Sequence, residues 1–598
     1  YYLRTGDKAV LPILQYYCDN AKERQYFGCG WQHWGRGIHP RYVAGGLMNP
    51  AGAQVLTTLL LGKVCGVNVD DDTLLGALKF WYRFVGHGTV PYGDHRGEGG
   101  LGSNGKDGMS AAAMRIAARA KHGAANYERA MKHLSMATLT SYPSLVRGHA
   151  DEGRGDGIWR GVASAIMLDY KPKAYHAVMN DLRWWYDLSR RPSGAVGMAT
   201  NPRFDDEGSG AGVALAYTAP LKALQITGAP RSRYAVDFDL PTLIWGNEAD
   251  LAFLSIENGK GFRKQGKEDP IHIPFFRYGS AYSKAEAFSQ VPREDMLKNV
   301  CHKRYVIRAQ AAKALREVGA FDELTKLLDD GDPRMRRAAL DGMIDYRYWF
   351  HLGKQPMKPE QFTPGMIESV TQMLKDRKES LYVIDGALSA MSLLPPGIIG
   401  ENLGLIMPWT KHEEWWLRQS AFVALAGAAG DEALVEKVLP TMLEMLMVED
   451  HTMPRDGMVN KLNRILQKHK ATSPVGQQIL AAHMKAVRMR EIIPGTRAGE
   501  GEWDVQKSVE VLLKETPGRA LELAEATKER FGVFSTEWVV TLANGLAAAS
   551  AKAPSEQRED LDALLYDDFR QELIERMKDE GSNLGLIDAI IALTALRD

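Results

Sequence analysis

Lys106-Asp-Gly-Met-Ser-Ala-Ala-Ala-Met-Arg-Ile-Ala117 reads as a buried helix, because small and apolar residues surround most of its circumference and a Gly-rich run leads into it. The same pattern stands at Asn49-Pro-Ala-Gly-Ala-Gln-Val-Leu-Thr-Thr-Leu-Leu-Leu-Gly62, at Gly155-Asp-Gly-Ile-Trp-Arg-Gly-Val-Ala-Ser-Ala-Ile-Met167 and at Gly210-Ala-Gly-Val-Ala-Leu-Ala-Tyr-Thr-Ala-Pro-Leu221. The aligned glycines, Gly52, Gly108, Gly157 and Gly212, are 56, 49 and 55 residues apart. A recurring period of this size is the mark of stacked repeats. Between the copies run amphipathic stretches, Asp71 to Val85, Ala125 to Thr140 and Ala174 to Arg190, with bulky aromatics such as Phe80, Trp81, Trp184 and Trp185. The alternation predicts helical hairpins, each pairing a small-residue inner helix with an amphipathic outer one.

Hairpins of this kind over about residues 1–230 resemble the α/α toroid superfamily of glycoside hydrolases, polysaccharide lyases, terpenoid cyclases and prenyltransferases. The loop sequences also resemble an uncharacterised bacterial family. The resemblance implies a ring of inner and outer helices, with the loops before the inner helices gathered on one face.

The rest of the chain has a different character. Tyr234 to Trp245 alternates, Asp250-Leu-Ala-Phe-Leu-Ser255 is short and apolar, and Pro270-Ile-His-Ile-Pro-Phe-Phe-Arg277 is broken by prolines. These read as a few short strands with loops. From about residue 300 a second repeat begins. Ile307-Arg-Ala-Gln-Ala-Ala-Lys-Ala-Leu315 aligns with Met335 to Met343, Val383 to Met391 and Leu417 to Leu425. This resembles HEAT repeats, and Asp332-Pro333-Arg334 marks a turn into the second copy. The expected fold is therefore all-α dominated. It comprises a toroid over 1–233, a β-containing connecting segment over 234–299, HEAT-like repeats over 300–450 and a helical region without a clear repeat over 451–598.

Composition narrows the function classes. Lys+Arg and Asp+Glu are 74 each in 598 residues, so no bulk positive field draws the chain to nucleic acid. Mean hydropathy is -0.28 and the apolar runs are too short to span a bilayer. The cysteines at 18, 29, 65 and 301 form no CxxC pair, which excludes a zinc ribbon. The chain begins Tyr-Tyr-Leu-Arg without a Met, as a processed or trimmed fragment would, and a periplasmic or secreted location is expected.

Four loops concentrate polar and aromatic residues. The first carries Trp31, His33, Trp34, Arg36 and His39. The second carries Tyr92, Asp94 and His95. The third carries His149, Asp151, Glu152, Arg154 and Asp156, followed by Trp159. The fourth carries Asp205, Asp206 and Glu207. Rigid scaffolds commonly hold functional residues on such loops. The plain alternative is that Asp94 caps a turn and that the acidic groups cap helix N-termini. Asp70-Asp71-Asp72 begins an outer helix and reads as such a cap.

Glycoside hydrolysis needs two carboxyl groups flanking the scissile bond. The leading expectation is thus a carbohydrate-active enzyme that cleaves a polysaccharide or oligosaccharide. Asp151 or Glu152 would be the acid, and Asp94 beside His95 the base or nucleophile. Tyr92, His149, Asp156 and Asp206 would complete the catalytic cleft. Substrate would be held by Trp31, His33, Trp34, Arg36, His39, Trp159, Arg154, Asp205 and Glu207. A polysaccharide lyase using His and Tyr is the alternative within the class. A non-catalytic scaffold, with a protein partner on the array, is the alternative outside it, and a terpenoid-type cyclase is a third. No cofactor is expected. A metal held by Asp94, His95, His149 and Asp151 lacks any supporting ligand spacing.

Overall fold

The computed structural model describes residues 1–26, 29–31, 47, 49–91, 93–96, 106–140, 157–196, 207–257, 291–300, 302–303, 305–345, 356–490, 503–580 and 583–597. These residues are helical apart from turns and loops. The one β-type contact among them is the isolated bridge between Arg190 and Val196. Two compact units divide the chain between Leu393 and Leu394, inside the span assigned to the HEAT-like array.

The first unit opens with α1 (Leu11–Arg24), α2 (Asn49–Cys65), α3 (Asp71–Val85), α4 (Lys106–Ala117) and α5 (Ala124–Leu139). It continues with α6 (Gly157–Ile166), α7 (Pro172–Leu188) and α8 (Glu207–Thr218). The glycine helices α2, α4, α6 and α8 pack on one another in succession. Their small residues permit this approach. A Cβ on Gly108 would lie 2.6 Å from the Trp159 carbonyl oxygen, and one on Gly161 would lie 2.6 Å from the Ala216 Cα. The amphipathic helix α3 buries Leu74, Leu78, Trp81 and Phe84. It starts at Asp70, whose carboxylate accepts from the Thr73 N–H at 2.9 Å and meets the Lys22 ammonium at 2.6 Å. That is the N-cap read from the acidic run.

Strands are absent from the described part of the connecting segment. Residues 234–249 run as turns and extended chain, and Asp250–Leu254 is a 3₁₀ helix. Side chains take the place of a strand ladder. Asn126 donates to the Thr242 carbonyl at 2.8 Å and Tyr127 to the Pro241 carbonyl at 2.9 Å, while the Val236 N–H reaches the Val64 carbonyl at 2.9 Å. With its polar backbone groups met this way, the alternating sequence gains nothing from pairing with another strand. The Pro270–Arg277 stretch lies outside the described residues.

The first unit closes with α9 (Arg293–Asn299), α10 (Tyr305–Glu317), α11 (Phe321–Leu328), α12 (Pro333–Ile344), α13 (Pro364–Lys375) and α14 (Leu381–Met391). Helices α10, α12 and α14 hold the first three aligned nonamers and pack in sequence, α12 against both neighbours. Asp332 caps α12 through the Arg334 N–H, as its Asp-Pro-Arg sequence predicts.

The second unit contains α15 (Trp415–Ala428), α16 (Glu432–Val448), α17 (Thr452–His469), α18 (Pro474–Met489) and α19 (Trp503–Glu515). It ends with α20 (Ala520–Lys528), α21 (Thr536–Ser550), α22 (Ser555–Leu564), α23 (Arg570–Glu580) and α24 (Leu584–Thr594). Helical turns of six residues or fewer are left unnumbered. Alternate helices again stack. One row runs α15, α17, α19, α21 and α24, and the other runs α16, α18, α20 and α22. The repeat therefore continues through 451–598.

The repeats of this second row are linked by arginines. Arg490 donates to the Leu446 and Glu449 carbonyls at the end of α16. Arg530 donates to the Val487 and Arg490 carbonyls at the end of α18. Arg576 donates to the Phe531 and Phe534 carbonyls beyond α20. Arg490 and Arg530 meet carbonyls at helix ends, where their charge suits the negative end of the dipole, and Arg576 of α23 meets carbonyls in the turn beyond α20.

Candidate functional site

The second of the four polar loops is the one whose described residues carry chemistry. It leaves α3 at Val85 and runs to Arg96. Both flanking inner helices hold it. Asn49, the first residue of α2, donates to the Pro91 and Gly93 carbonyls at 2.7 and 3.1 Å. Asp107, near the start of α4, accepts from the Val90 N–H at 2.6 Å.

Of the expected catalytic residues on this loop, Asp94 and His95 are described, and both are inside the packing. Asp94 is 4% exposed and His95 is fully buried. The Asp94 carboxylate pairs with the Arg83 guanidinium from α3. The His95 Nδ1–H donates to the Arg96 carbonyl at 2.8 Å, which places the proton on that nitrogen because a carbonyl only accepts.

Arg96 continues the network into the array. Its Nη1 lies 2.7 and 2.6 Å from the two Asp385 oxygens on α14. Asp385 also meets Arg337 of α12 at 3.0 Å, and Arg337 meets Asp341 at 2.8 Å. Burial holds the Asp341 carboxyl above its usual value, against the pull of Arg337. Around the same seam, the Tyr382 hydroxyl donates to the Arg83 carbonyl at 2.7 Å. Arg308 of α10 donates to the His87 carbonyl at 3.1 Å. The His87 ring stands edge-on to Tyr382, with centroids 4.6 Å apart. Burial, then the nearby guanidiniums of Arg337 and Arg308, keeps His87 well below the ordinary histidine range. His133 is lowered in the same way by burial, Arg308 and Lys303.

Two of the expected platform tryptophans are described. Trp31 is no open platform. It is 5% exposed, its Nε1–H donates to the Ala21 carbonyl at 2.8 Å, and its ring stacks on Trp81 at 5.9 Å. An indole with an apolar body and one satisfied donor is a core residue here. Trp159, the third residue of α6, is half-buried. Glu207 begins α8. Tyr92, His149, Asp151, Glu152, Arg154, Asp156, Asp205 and Asp206 lie outside the described residues, as do His33, Trp34, Arg36 and His39. Among the described residues no three His, Cys, Asp or Glu side chains are placed to hold a metal ion. No helix among them is long and apolar enough to cross a membrane.

The seam is built by Asn49, Arg83, Arg96, Asp107, Arg337 and Asp385, and sequence reasoning assigned a role to none of them. Asn49 and Asp107 stand within the first two residues of their aligned repeats, and that is the available signal. Arg96 to Asp385 spans 289 residues, which no local pattern reveals.

Residues 1–228 match the model of a family described as a domain of unknown function (DUF6288). No curated protein matches the sequence. Similar solved structures include an engineered protein, at 12% identity over 76% of this chain and 98% of that one, with a TM-score of 0.27. Kap121p bound to Ste12p is similar at 12% identity over 98% of this chain and 56% of its own, with a TM-score of 0.28. Importin beta is similar at 12% identity over 99% of this chain and 65% of its own, with a TM-score of 0.33. The chain thus spans less than two thirds of the Kap121p and importin beta chains.

Proposed function

We propose that this chain is a non-catalytic binding scaffold, a stack of helical repeats that presents its surface to a protein partner. The observation that carries this reading is the use made of loop 86–96. A carboxylate that is to act as base or nucleophile must face its substrate, and Asp94 instead faces Arg83 inside the packing. Its neighbour Arg96 is spent on joining the glycine helices to the array through Asp385. The test is incubation of the full chain with a panel of neutral and acidic polysaccharides. The scaffold releases neither reducing ends nor the absorbance of an unsaturated uronate, and either signal would overturn the reading.

A second reading keeps a carbohydrate-active cleft outside the cytoplasm, on a toroid over the first repeats. Favouring it is the succession of α2, α4, α6 and α8, since the segments that precede α6 and α8 hold His149, Asp151, Glu152, Asp156, Asp205 and Asp206. Tyr92, Trp159 and these residues would then form the cleft, without Trp31. The same panel decides, because cleavage abolished by Asp151→Asn in a stably folded variant selects this reading over the scaffold.

A further inference from the structure

From Gly457 to Arg490 the chain contains seven Lys and Arg residues and no Asp or Glu, although the whole chain balances 74 cations against 74 acids. This acid-free run is the greater part of α17 and all of α18. Its cations have different surroundings. Arg490 is committed to carbonyls and Arg488 pairs with Glu522 at 3.0 Å. Lys461, Arg464 and Lys468 share a different feature, their place on one helix. Their spacing of three and four residues puts them along one stripe of α17, about 10 Å from end to end at 1.5 Å rise per residue.

Along that stripe Arg464 and Lys468 are exposed and Lys461 is half-buried. Among the described residues none of the three pairs with a carboxylate. Lys468 reaches the Gly430 carbonyl. Burial, then the Arg464 guanidinium, holds the Lys461 ammonium below its usual value. Like charges one helical turn apart, one of them partly desolvated, repel each other, and an anion between them relieves that repulsion.

The geometry points to the Lys461–Arg464–Lys468 stripe of α17 as a docking site for an acidic polypeptide segment, whose successive carboxylates match the three cations. A polypeptide is favoured over nucleic acid. The stripe offers three charges on one helix of a chain with no net charge, whereas nucleic-acid binding draws on the wide positive field of many phosphate contacts. The inference rests on the scaffold reading and names the surface that the partner would use.

The probe is a short fluorescent oligo-glutamate peptide titrated into the full chain by fluorescence anisotropy. An oligo-glutamine peptide and a fluorescent single-stranded oligonucleotide serve as comparisons. The glutamate peptide binds, and added salt weakens it. The combined Lys461→Gln, Arg464→Gln and Lys468→Gln variant weakens binding about tenfold, and the exposed Arg464→Gln change alone weakens it severalfold. A charge-matched variant at exposed sites outside the acid-free run, Lys378→Gln, Lys437→Gln and Lys552→Gln, changes binding by less than about twofold. The inference is overturned if the peptide does not bind, if both triple variants weaken it equally, or if the oligonucleotide binds the stripe as tightly. Polysaccharide cleavage would sink the scaffold reading without touching this titration, so the two failures are distinguishable.

Discussion

The seam of the first unit and the array of the second solve one problem in different ways. Both must hold successive helical repeats in register. The seam uses buried charge against buried charge, in a chain from Arg96 to Asp385 to Arg337 to Asp341. The second unit sends guanidiniums to helix-end carbonyls, at Arg490, Arg530 and Arg576. A buried ion pair is costly to break because the surviving partner keeps its charge away from water. A guanidinium on carbonyls leaves only neutral dipoles behind when it is removed. The seam should therefore be the more brittle of the two.

The sharpest way to break the comparison is Asp385→Ala. It leaves Arg96 and Arg337 buried without their shared carboxylate, and it should cost about 3–5 kcal/mol. Urea denaturation of the full chain should show the first transition shifted to lower urea, and an unshifted curve would remove the seam from the account.

Acid tests the second unit. His483 is buried, its Nδ1 lies 3.0 Å from the Ser508 hydroxyl, and burial lowers its pKa from 6.5 to about 4. A histidine lowered on folding takes up its proton more readily when unfolded. Its stability contribution is present above pH 6.5 and is lost as pH falls toward 4, by roughly 3 kcal/mol at 1.36 kcal/mol per unit. His483→Gln should flatten the acid limb of the stability curve in that window. An unchanged slope would assign the acid sensitivity elsewhere. Asp250 works in the opposite sense within the first unit. Burial pushes it up to about 6 although it accepts from Ser380 and Leu381, so its contribution is present at low pH and fades as pH rises through 6.

Arg490→Met sharpens the contrast between the two units. It takes the guanidinium from the Leu446 carbonyl, while the Glu449 carbonyl keeps the Arg455 Nε–H at 2.7 Å, and should cost about 1–3 kcal/mol, less than Asp385→Ala. Equal losses from the two variants would mean that charge burial does not distinguish the units. The smallest expected effect is at the surface. Asp70→Ala removes the α3 cap and should cost about 1 kcal/mol, read as a small fall in melting temperature.

The two regions also differ in how much of them was legible. The glycine period placed α2, α4, α6 and α8, because tight packing between these helices demands small residues at a regular spacing. The aligned nonamers placed α10, α12, α14 and α15 for the same reason. Repeats beyond residue 451 were missed because their cores vary in composition. Their regular feature, an arginine just past or within a helix at 490, 530 and 576, is polar and lies outside the apolar pattern. Strands were expected at 234–255 from alternation alone, and the side chains of α5 and its preceding turn met those backbone groups instead. On the first loop Trp31 is expected as an open platform and is instead buried, since hydrophobic and polar patterning cannot show that Trp81 already covers an indole face.

The most direct test of the central claim is the melting temperature of Asp94→Asn, measured beside polysaccharide cleavage by the same preparations. The account predicts a fall of several degrees, because Arg83 loses its carboxylate inside the packing, and no product from either protein. An unchanged melting temperature, with cleavage by the parent chain that the variant has lost, would contradict it.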